Sequence, residues 1–312
     1  MRAALILICF FGFLQRAWAY PISPRPLRLL VTESKHIVVG YVISTFDKKE
    51  EKKKKKNHYY PYVRIARIAV LECLQGKMVR DTIELEFNPH MTCPAPPYYI
   101  DSTHVLCFLN EHEDGRLYTH ALSYGSKTMP LNDIAVYKAR IKELQLILQQ
   151  TDSVKKHAAT LDWLVTCAEH QATRWEGTFE LRPESDFMSY YSRDQQETFN
   201  DSLNPAQQKR LYQAVLGSGG LYYSDFGLID MVYKGNEAAI DALLLRNLKA
   251  LKEDDYWIAE KYLERLRYRN LTAEMRKTME QFEALKNDMN FYNKKAEIKV
   301  IIDAFIKLID PL

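Results

Sequence analysis

The chain has 312 residues, of which 47% are hydrophobic, 27% charged and 12% aromatic. This composition excludes a wholly disordered, collagenous or small disulfide-stapled protein, because there is enough apolar surface for a packed core. The formal net charge is only +3, and the length predicts two domains of ordinary size.

The first part of the chain has the features of a secretory signal peptide. Met1-Arg2 is a short basic start, Leu5 to Leu14 is an apolar stretch, and Ala17-Trp18-Ala19 is a small-x-small cleavage site. The sequence therefore predicts a signal peptide over residues 1–19 and a secreted or periplasmic protein that begins at Tyr20. The apolar stretch is shorter than the roughly 20 residues of a membrane span, so no span is expected.

The next region has the pattern of short β-strands. The predicted strands are residues 36–46, 62–71, 82–87, 104–109 and 117–124. In the third run, apolar side chains alternate with Glu84 and Glu86, which is typical of a sheet with one face in water. Asp114-Gly115 indicates a hairpin between the last two runs. Five short strands predict a small closed or partly closed β-barrel in a domain of residues 20–129.

Basic residues cluster between the first two predicted strands. The cluster consists of Lys48, Lys49 and Lys52 to Lys56. Like charges repel each other, so a flexible solvated loop is favoured, and an anion-binding loop is the alternative. Because phosphate binding needs a basic track and the rest of the chain is near neutral, we expect no nucleic-acid partner.

The apolar period changes from two to 3.6 after Met129-Pro130, which predicts an α-helical domain over residues 130–312 and an α+β fold overall. The first helical face consists of Ile134, Tyr137, Ile141, Leu144 and Leu148. Asn204-Pro205, Gly235-Asn236 and Thr272 mark further helix starts. Their spacing of 32 and 36 residues fits a helical solenoid, and a nonrepetitive bundle explains the same periodicity.

Five segments of the strand region have a distinctive order and spacing. They are Val38 to Val42, Val70 to Gly76, Asp81 to Leu85, Cys93-Pro94 and Val105 to Leu109. In these segments the chain resembles the netrin-like, tissue-inhibitor-of-metalloproteinase-type oligonucleotide/oligosaccharide-binding (OB) barrel in its exported bacterial form. The resemblance implies a five-stranded OB-like barrel in the N-terminal third, and the helical remainder lies outside it.

The chain departs from this family in its cysteines. Members that inhibit metalloproteases chelate the catalytic zinc with a mature N-terminal cysteine, whereas this mature chain begins with Tyr20-Pro21. The bacterial form usually pairs a cysteine like Cys93 with one near the end of the fifth strand, where this sequence has Ala121, Leu122 and Ser123. Inhibition of a metalloprotease and the family disulfide are therefore not expected. Cys73, Cys93 and Cys107 leave room for one bridge, and buried free thiols are the alternative.

Two groups of residues could suggest reactive chemistry. His104, His112 and His120 recur every eight residues, but neither a helical His-Glu-x-x-His nor a Cys-x-x-Cys accompanies them, so no metal site or cofactor is expected. Cys167 and His170 can share a helical face as a nucleophile and its base do. Apolar neighbours of Cys167 favour a buried core thiol instead.

An aromatic-rich part of the helical region is the candidate ligand surface. Its candidate residues are Arg174, Trp175, Tyr190, Tyr191, Tyr222 and Tyr223. Tyrosine, tryptophan and arginine are enriched in binding hot spots because they combine a large contact area with polar groups. Packing between helices and under long connections is favoured for this stretch, and a ligand surface is the alternative.

Together these features predict an exported, non-catalytic interaction protein that binds a protein or glycan partner in the periplasm or outside the cell. The rival hypothesis is a hydrolase of envelope or extracellular material. Its acid and base would come from Glu169, Glu176, Glu180 and Asp186. A cleft that holds two of these carboxylates at glycosidase separation would favour the enzyme.

Overall fold

The protein has an α+β fold, in which an antiparallel sheet precedes a series of helices. A computed structural model describes residues 23–48, 63–78, 80–91, 95–182, 199, 203–234, 237–266, 272–288 and 290–309. The predicted signal peptide, the lysines from Lys49 to Lys56 and Cys93 lie outside the described residues. Among those described, residues up to Trp163 form one compact unit and residues from Leu164 onward form the other.

The first unit contains a sheet of six strands. These are β1 (His36–Asp47), β2 (Arg64–Gln75), β3 (Thr82–Phe87), β4 (His104–Glu111), β5 (Leu117–Thr119) and β6 (Ser126–Thr128). The strands pair in the order β3-β2-β1-β4-β5, and β6 pairs with β4. Each of the five predicted runs overlaps one of the strands β1 to β5, and β6 is an addition to them.

The fifth strand is shorter than its predicted run because the backbone turns away after Thr119. Ala121 and Leu122 have φ angles of 54° and 52°, in the left-handed region that non-glycine residues rarely adopt. At Gly125 an added Cβ would lie 1.8 Å from the carbonyl oxygen of His120, so only glycine fits this close approach. Strand β6 then resumes the pairing with β4.

Hydrogen bonds between the described strands do not close the sheet into a barrel. No hydrogen-bonded ladder joins β3 to β5 within the described part of the chain, and β5 is only three residues long. The described residues therefore form an antiparallel sheet of six strands, and the predicted five-stranded, closed or partly closed barrel is not shown.

The core of the sheet follows the alternation in the sequence. Along β3, Ile83, Leu85 and Phe87 are buried and the intervening glutamates are exposed, which confirms that one face of this strand meets water. The apolar core cluster contains Val38, Val42, Ala66, Ile68, Ile83, Leu85, Phe87, Tyr99, Val105, Cys107 and Leu109. The Tyr99 hydroxyl lies 2.5 Å from the Thr119 hydroxyl, so its one polar group keeps a partner inside this core.

Helix α1 (Leu27–Glu33) was not predicted, although Leu27, Leu30 and Val31 have helical spacing and are buried. Helix α2 (Leu131–Leu148) was predicted, and its buried residues Ile134, Tyr137, Ile141 and Leu144 confirm the proposed face.

Helix α2 belongs to the first unit. Gln145 Nε2 donates to the Leu74 carbonyl at 3.2 Å, and Trp163 Nε1 donates to the Arg140 carbonyl at 2.9 Å. The two compact units therefore divide at Trp163, beyond the expected domain boundary at residues 129 and 130.

The second unit is helical. Its elements are α3 (Ser153–Glu169, whose first part lies in the first unit), α4 (Arg174–Leu181), α5 (Pro205–Leu216), α6 (Asp225–Val232), α7 (Ala238–Lys249), α8 (Ala259–Leu266), α9 (Ala273–Lys286) and α10 (Lys295–Ile309), with short 3-10 helices at Gln171–Thr173, Glu253–Ile258 and Phe291–Asn293. Two predicted caps are confirmed. Asn204 and Gln207 form a capping box, and the Thr272 hydroxyl accepts the Met275 N–H at 3.2 Å.

Neighbouring helices of this unit pack in pairs. Helix α5 contacts α6, α7 contacts α8 and α9 contacts α10, while contacts between α5 and α7 and between α7 and α10 link the pairs. This arrangement is compatible with both the solenoid and the bundle. The predicted helix start at Gly235-Asn236 lies outside the described residues.

The strand register excludes a disulfide between Cys73 and Cys107. Cys73 on β2 and Cys107 on β4 both lie opposite Val38, one on each side of β1. Their Cα atoms are therefore about 9.6 Å apart, two strand spacings, which is too far for a disulfide. Burial raises the pKa of the Cys107 thiol to about 12, so this cysteine stays protonated and unreactive.

Candidate functional site

Arg174 is a buried centre of hydrogen bonding at the start of α4, with 3% of its surface exposed. Its guanidinium donates to the carbonyl oxygens of Ala168 (3.1 Å), Glu169 (3.2 Å) and Ala214 (3.5 Å), to the hydroxyl of Ser218 (3.0 Å) and to the carboxylate of Asp225. A guanidinium has five N–H donors, and these five acceptors occupy them. Arg174 therefore joins α3, α5 and α6 from inside and has no donor left for a ligand.

Asp225 connects this arginine to the two candidate tyrosines. The carboxylate is buried, with 1% exposed, and its second oxygen accepts the backbone N–H of Tyr222 at 2.6 Å. The Asp225 N–H donates back to the Tyr222 carbonyl at 2.9 Å. One residue earlier, the Leu221 N–H donates to Asn247 Oδ1 at 3.0 Å. A buried ion pair and an amide thus fix the backbone from which Tyr222 and Tyr223 project.

The rings above this backbone are exposed. Tyr222 is 63% exposed, Tyr223 40% and Trp257 45%. The Tyr223 and Trp257 rings stack, with their centroids 5.5 Å apart and an interplanar angle of 29°. Trp257 lies on the 3-10 helix Glu253–Ile258 between buried Tyr256 and Ile258, which anchor it. We call Tyr222, Tyr223 and Trp257 the aromatic surface.

The helical core supports the aromatic surface from below. Phe226 follows Asp225, and its ring meets that of Tyr262 edge-on at 4.9 Å. The Arg265 guanidinium lies over the Phe226 ring, 4.7 Å from the ring centroid. The same guanidinium donates two hydrogen bonds to Asp230, at 2.8 and 2.6 Å. Burial, and secondly the nearby Asp225 carboxylate, raises the pKa of the Tyr262 phenol to about 12. The phenol therefore stays neutral beside the ion pair.

The structure separates the predicted site residues by role. Arg174 supports the surface from inside, and Tyr222 and Tyr223 lie on it. Trp175 is half-buried on α4, and its ring centroid is 5.1 Å from that of buried Phe179, so it takes part in packing. Tyr190 and Tyr191 lie outside the described residues.

Sequence reasoning missed Trp257. The signal for it was a tryptophan two positions after the acidic run Glu253-Asp254-Asp255, where a core residue is not expected.

The carboxylates of the rival hydrolase hypothesis do not form an exposed acid and base pair in the described residues. Glu169 accepts two hydrogen bonds from Arg210, at 2.8 and 2.7 Å. Glu176 and Glu180 are buried, with 1% and 3% exposed. Asp186 lies outside the described residues. Of the three that can be placed, only Glu169 is partly exposed, and it is ion-paired.

The histidines of the predicted strand region have separate partners. His104 packs against Tyr41 at 5.2 Å and His112 against Tyr118 at 4.5 Å, while His120 Nε2 lies 2.8 Å from the Glu33 carboxylate. Within the described ranges, no group of three or more His, Cys, Asp or Glu side chains is arranged to hold a metal ion.

Cys167 and His170, which could share a helical face as a nucleophile and its base, have other roles in the structure. Cys167 is fully buried among apolar side chains. The His170 ring accepts the Ala172 N–H at 3.2 Å and thereby caps the short 3-10 helix that follows. Both residues therefore serve the local fold.

Comparison with known proteins gives no match, neither to a protein-family model nor to a curated sequence. The described helices include none with the length and the apolar character of a membrane span.

Proposed function

We propose that the mature chain is an exported, non-catalytic interaction protein that binds a protein or glycan partner through the aromatic surface. The observation that carries this proposal is the exposed stack of Tyr223 on Trp257, held over the buried Arg174–Asp225 pair. Exposed tyrosine and tryptophan on a rigid backbone lose little conformational entropy on binding, which is why they dominate binding hot spots. The features of residues 1–19 support export to the periplasm or the cell exterior.

We also propose that the sheet of the first unit is a partly closed, OB-like barrel of the netrin-like type. The strand order β3-β2-β1-β4-β5 supports this, and so does the approach of β3 to β5. A barrel requires that the first and last strands of such an order meet. Hydrogen exchange of the β3 and β5 amides tests this point. Slow exchange of the outward amides of β3 indicates closure, and rapid exchange indicates an open edge.

A binding comparison tests the proposed function. The protein from Tyr20 onward is passed over an immobilised glycan panel. It is also passed over a panel of immobilised proteins secreted by the cells that make this protein. The same is done with the variant that carries Tyr223→Ala and Trp257→Ala. Tyr98→Ala is the matched control, because Tyr98 is 58% exposed and lies in the other unit.

We expect a ligand that the double variant binds at least about tenfold more weakly, since each hot-spot aromatic contributes more than about 1 kcal/mol. Tyr98→Ala should bind that ligand like the unaltered protein. Equal binding by the double variant would contradict the proposal. Turnover of any glycan or protein on the panels would instead support the hydrolase.

A further inference from the structure

Three consecutive carboxylates precede Trp257 in its 3-10 helix. Glu253, Asp254 and Asp255 are all exposed, and we call them the acidic turn. Side chains three positions apart in a 3-10 helix lie above one another, so Asp254 shares its face with Trp257. The acidic turn therefore borders the aromatic surface.

The acidic turn keeps a negative charge after its neighbours are counted. Lys295 pairs with Asp254 at 2.5 Å, in a contact whose side chains are 42% and 90% exposed. Within the described residues, neither the Glu253 nor the Asp255 carboxylate has a hydrogen bond or ion pair. A second ammonium group near the acidic turn belongs to Lys252, which directly precedes Glu253 and is exposed. Lys299 interacts electrostatically with Glu253 and pairs with Asp303 at 2.6 Å. With these two residues included, four carboxylates against three ammonium groups leave the rim of the aromatic surface negative.

We infer that the aromatic surface receives a lysine or arginine side chain from a basic segment of a partner protein. This inference rests on the proposed function and names the class of its partner. The faces of tryptophan and tyrosine rings attract cations, tryptophan most strongly. Unpaired carboxylates at the rim complement the same charge and steer a basic segment toward it.

The charge distribution distinguishes this partner from a glycan. A neutral sugar stacks on exposed rings and can donate hydroxyl hydrogen bonds to Glu253 and Asp255, but it carries no charge that these carboxylates attract from a distance. An acidic partner would be repelled by these two carboxylates. A cationic side chain is attracted both by the ring faces and by the net negative charge of the rim.

Isothermal titration of the mature protein tests the inference with three probes. These are a peptide of alternating glycine and arginine, the same peptide with glutamate in place of arginine, and maltohexaose as a neutral sugar. The variants are Trp257→Ala and Asp255→Asn. Tyr98→Ala and Asp101→Asn are matched controls, because Tyr98 and Asp101 are an exposed aromatic and an exposed acid of the other unit. All variants must keep the unfolding midpoint of the unaltered protein.

We expect the arginine peptide to bind and its Kd to rise with salt, as charge attraction is screened. The Kd should rise about fivefold or more in Trp257→Ala and about twofold or more in Asp255→Asn. Both controls should leave it unchanged.

Two results would overturn the inference. One is no binding of the arginine peptide, and the other is binding that the two controls weaken as much as the two site variants do. If maltohexaose binds and Trp257→Ala abolishes this, the ligand class is wrong and the proposed function stands. If neither these probes nor the two panels bind, both proposals fail.

Discussion

At the scale of single residues, the Arg174–Asp225 pair is the strongest constraint on the helical unit. Both side chains are almost fully buried, and removing two charges from water costs several kcal/mol per ion unless each is fully compensated. Arg174 achieves this compensation with five acceptors. Loss of one partner therefore leaves a buried charge without its counterion.

The substitution Arg174→Met tests this. We expect it to lower the free energy of unfolding by about 3 to 5 kcal/mol, because Asp225 then stays buried without a cation. Denaturant unfolding followed by circular dichroism measures the loss. Arg276→Met is the matched control, since Arg276 is exposed on α9, and it should change stability by less than about 0.5 kcal/mol. Similar losses in both variants would show that Arg174 is not a special position.

A second residue-scale prediction concerns pH and Glu111 at the end of β4. A hydrogen bond from Lys35, and next one from His36, lowers the pKa of Glu111 below its ordinary value of 4.5. Because the pKa of Glu111 is lowered in the folded state, this residue stabilises the fold at pH values above its ordinary pKa. This contribution is lost as the pH falls through the folded pKa.

We therefore expect the stability difference between the unaltered protein and Glu111→Gln to be constant above about pH 5 and to shrink below it. Urea unfolding at a series of pH values measures this difference. Glu113→Gln is the control, because Glu113 is an exposed glutamate of the same hairpin, and its difference should vary less with pH. A Glu111→Gln difference that is independent of pH would disprove the assigned role of Lys35 and His36.

At the scale of elements, the close approach of α3 and α4 depends on Gly177. A Cβ at this position would lie 2.2 Å from the Leu164 carbonyl oxygen and 2.6 Å from the Ala168 nitrogen. Both are backbone atoms, so the helices must separate to admit a methyl group.

We expect Gly177→Ala to destabilise the protein by about 1 to 3 kcal/mol despite the better helix propensity of alanine. Gly219→Ala is the control, since a Cβ there meets no atom within 4 Å, and its effect should be near zero. Thermal unfolding of the two variants decides the matter. A more stable Gly177→Ala protein would mean that the two helices pack less closely than described.

Local chemistry made several elements of this chain predictable. The alternation in β3, the apolar face of α2 and the caps at Asn204 and Thr272 each depend on residues within a few positions of one another. The structure confirms all four. Helix α1 has the same kind of signal in Leu27, Leu30 and Val31, but its seven residues are too few for a clear period.

Other features depend on contacts that are distant in sequence. The end of β5 depends on left-handed backbone at Ala121 and Leu122, and neither alanine nor leucine indicates this conformation in a sequence. Arg174 was a candidate ligand residue because its type is common in hot spots, beside the interpretation that it packs between helices. Its burial depends on Asp225, which follows it by 51 positions. The stack of Tyr223 on Trp257 likewise joins two separate connections of the helical unit.

At the scale of the whole molecule, the two compact units divide at Trp163, beyond the predicted domain boundary. The change in apolar period after Met129-Pro130 predicted a boundary there. Helix α2 follows this point, yet it packs against α1, β2 and β4 of the first unit. The change from strands to helices after residue 129 therefore does not coincide with the limit of the first unit's core.

Separate expression of fragments tests this division. We expect residues 20–129 to be insoluble or unfolded, because they lack four side chains of α2 that are buried in the whole chain, Ile134, Tyr137, Ile141 and Leu144, each of which contributes about 1.5 to 3 kcal/mol on burial. Residues 20–163 should fold, since they restore α2 and the hydrogen bond from Trp163 to Arg140. Soluble yield and cooperative urea unfolding by circular dichroism provide the measurement. Cooperative unfolding of the 20–129 fragment would restore the boundary at residue 129, because a sheet that folds alone does not need the apolar face of α2.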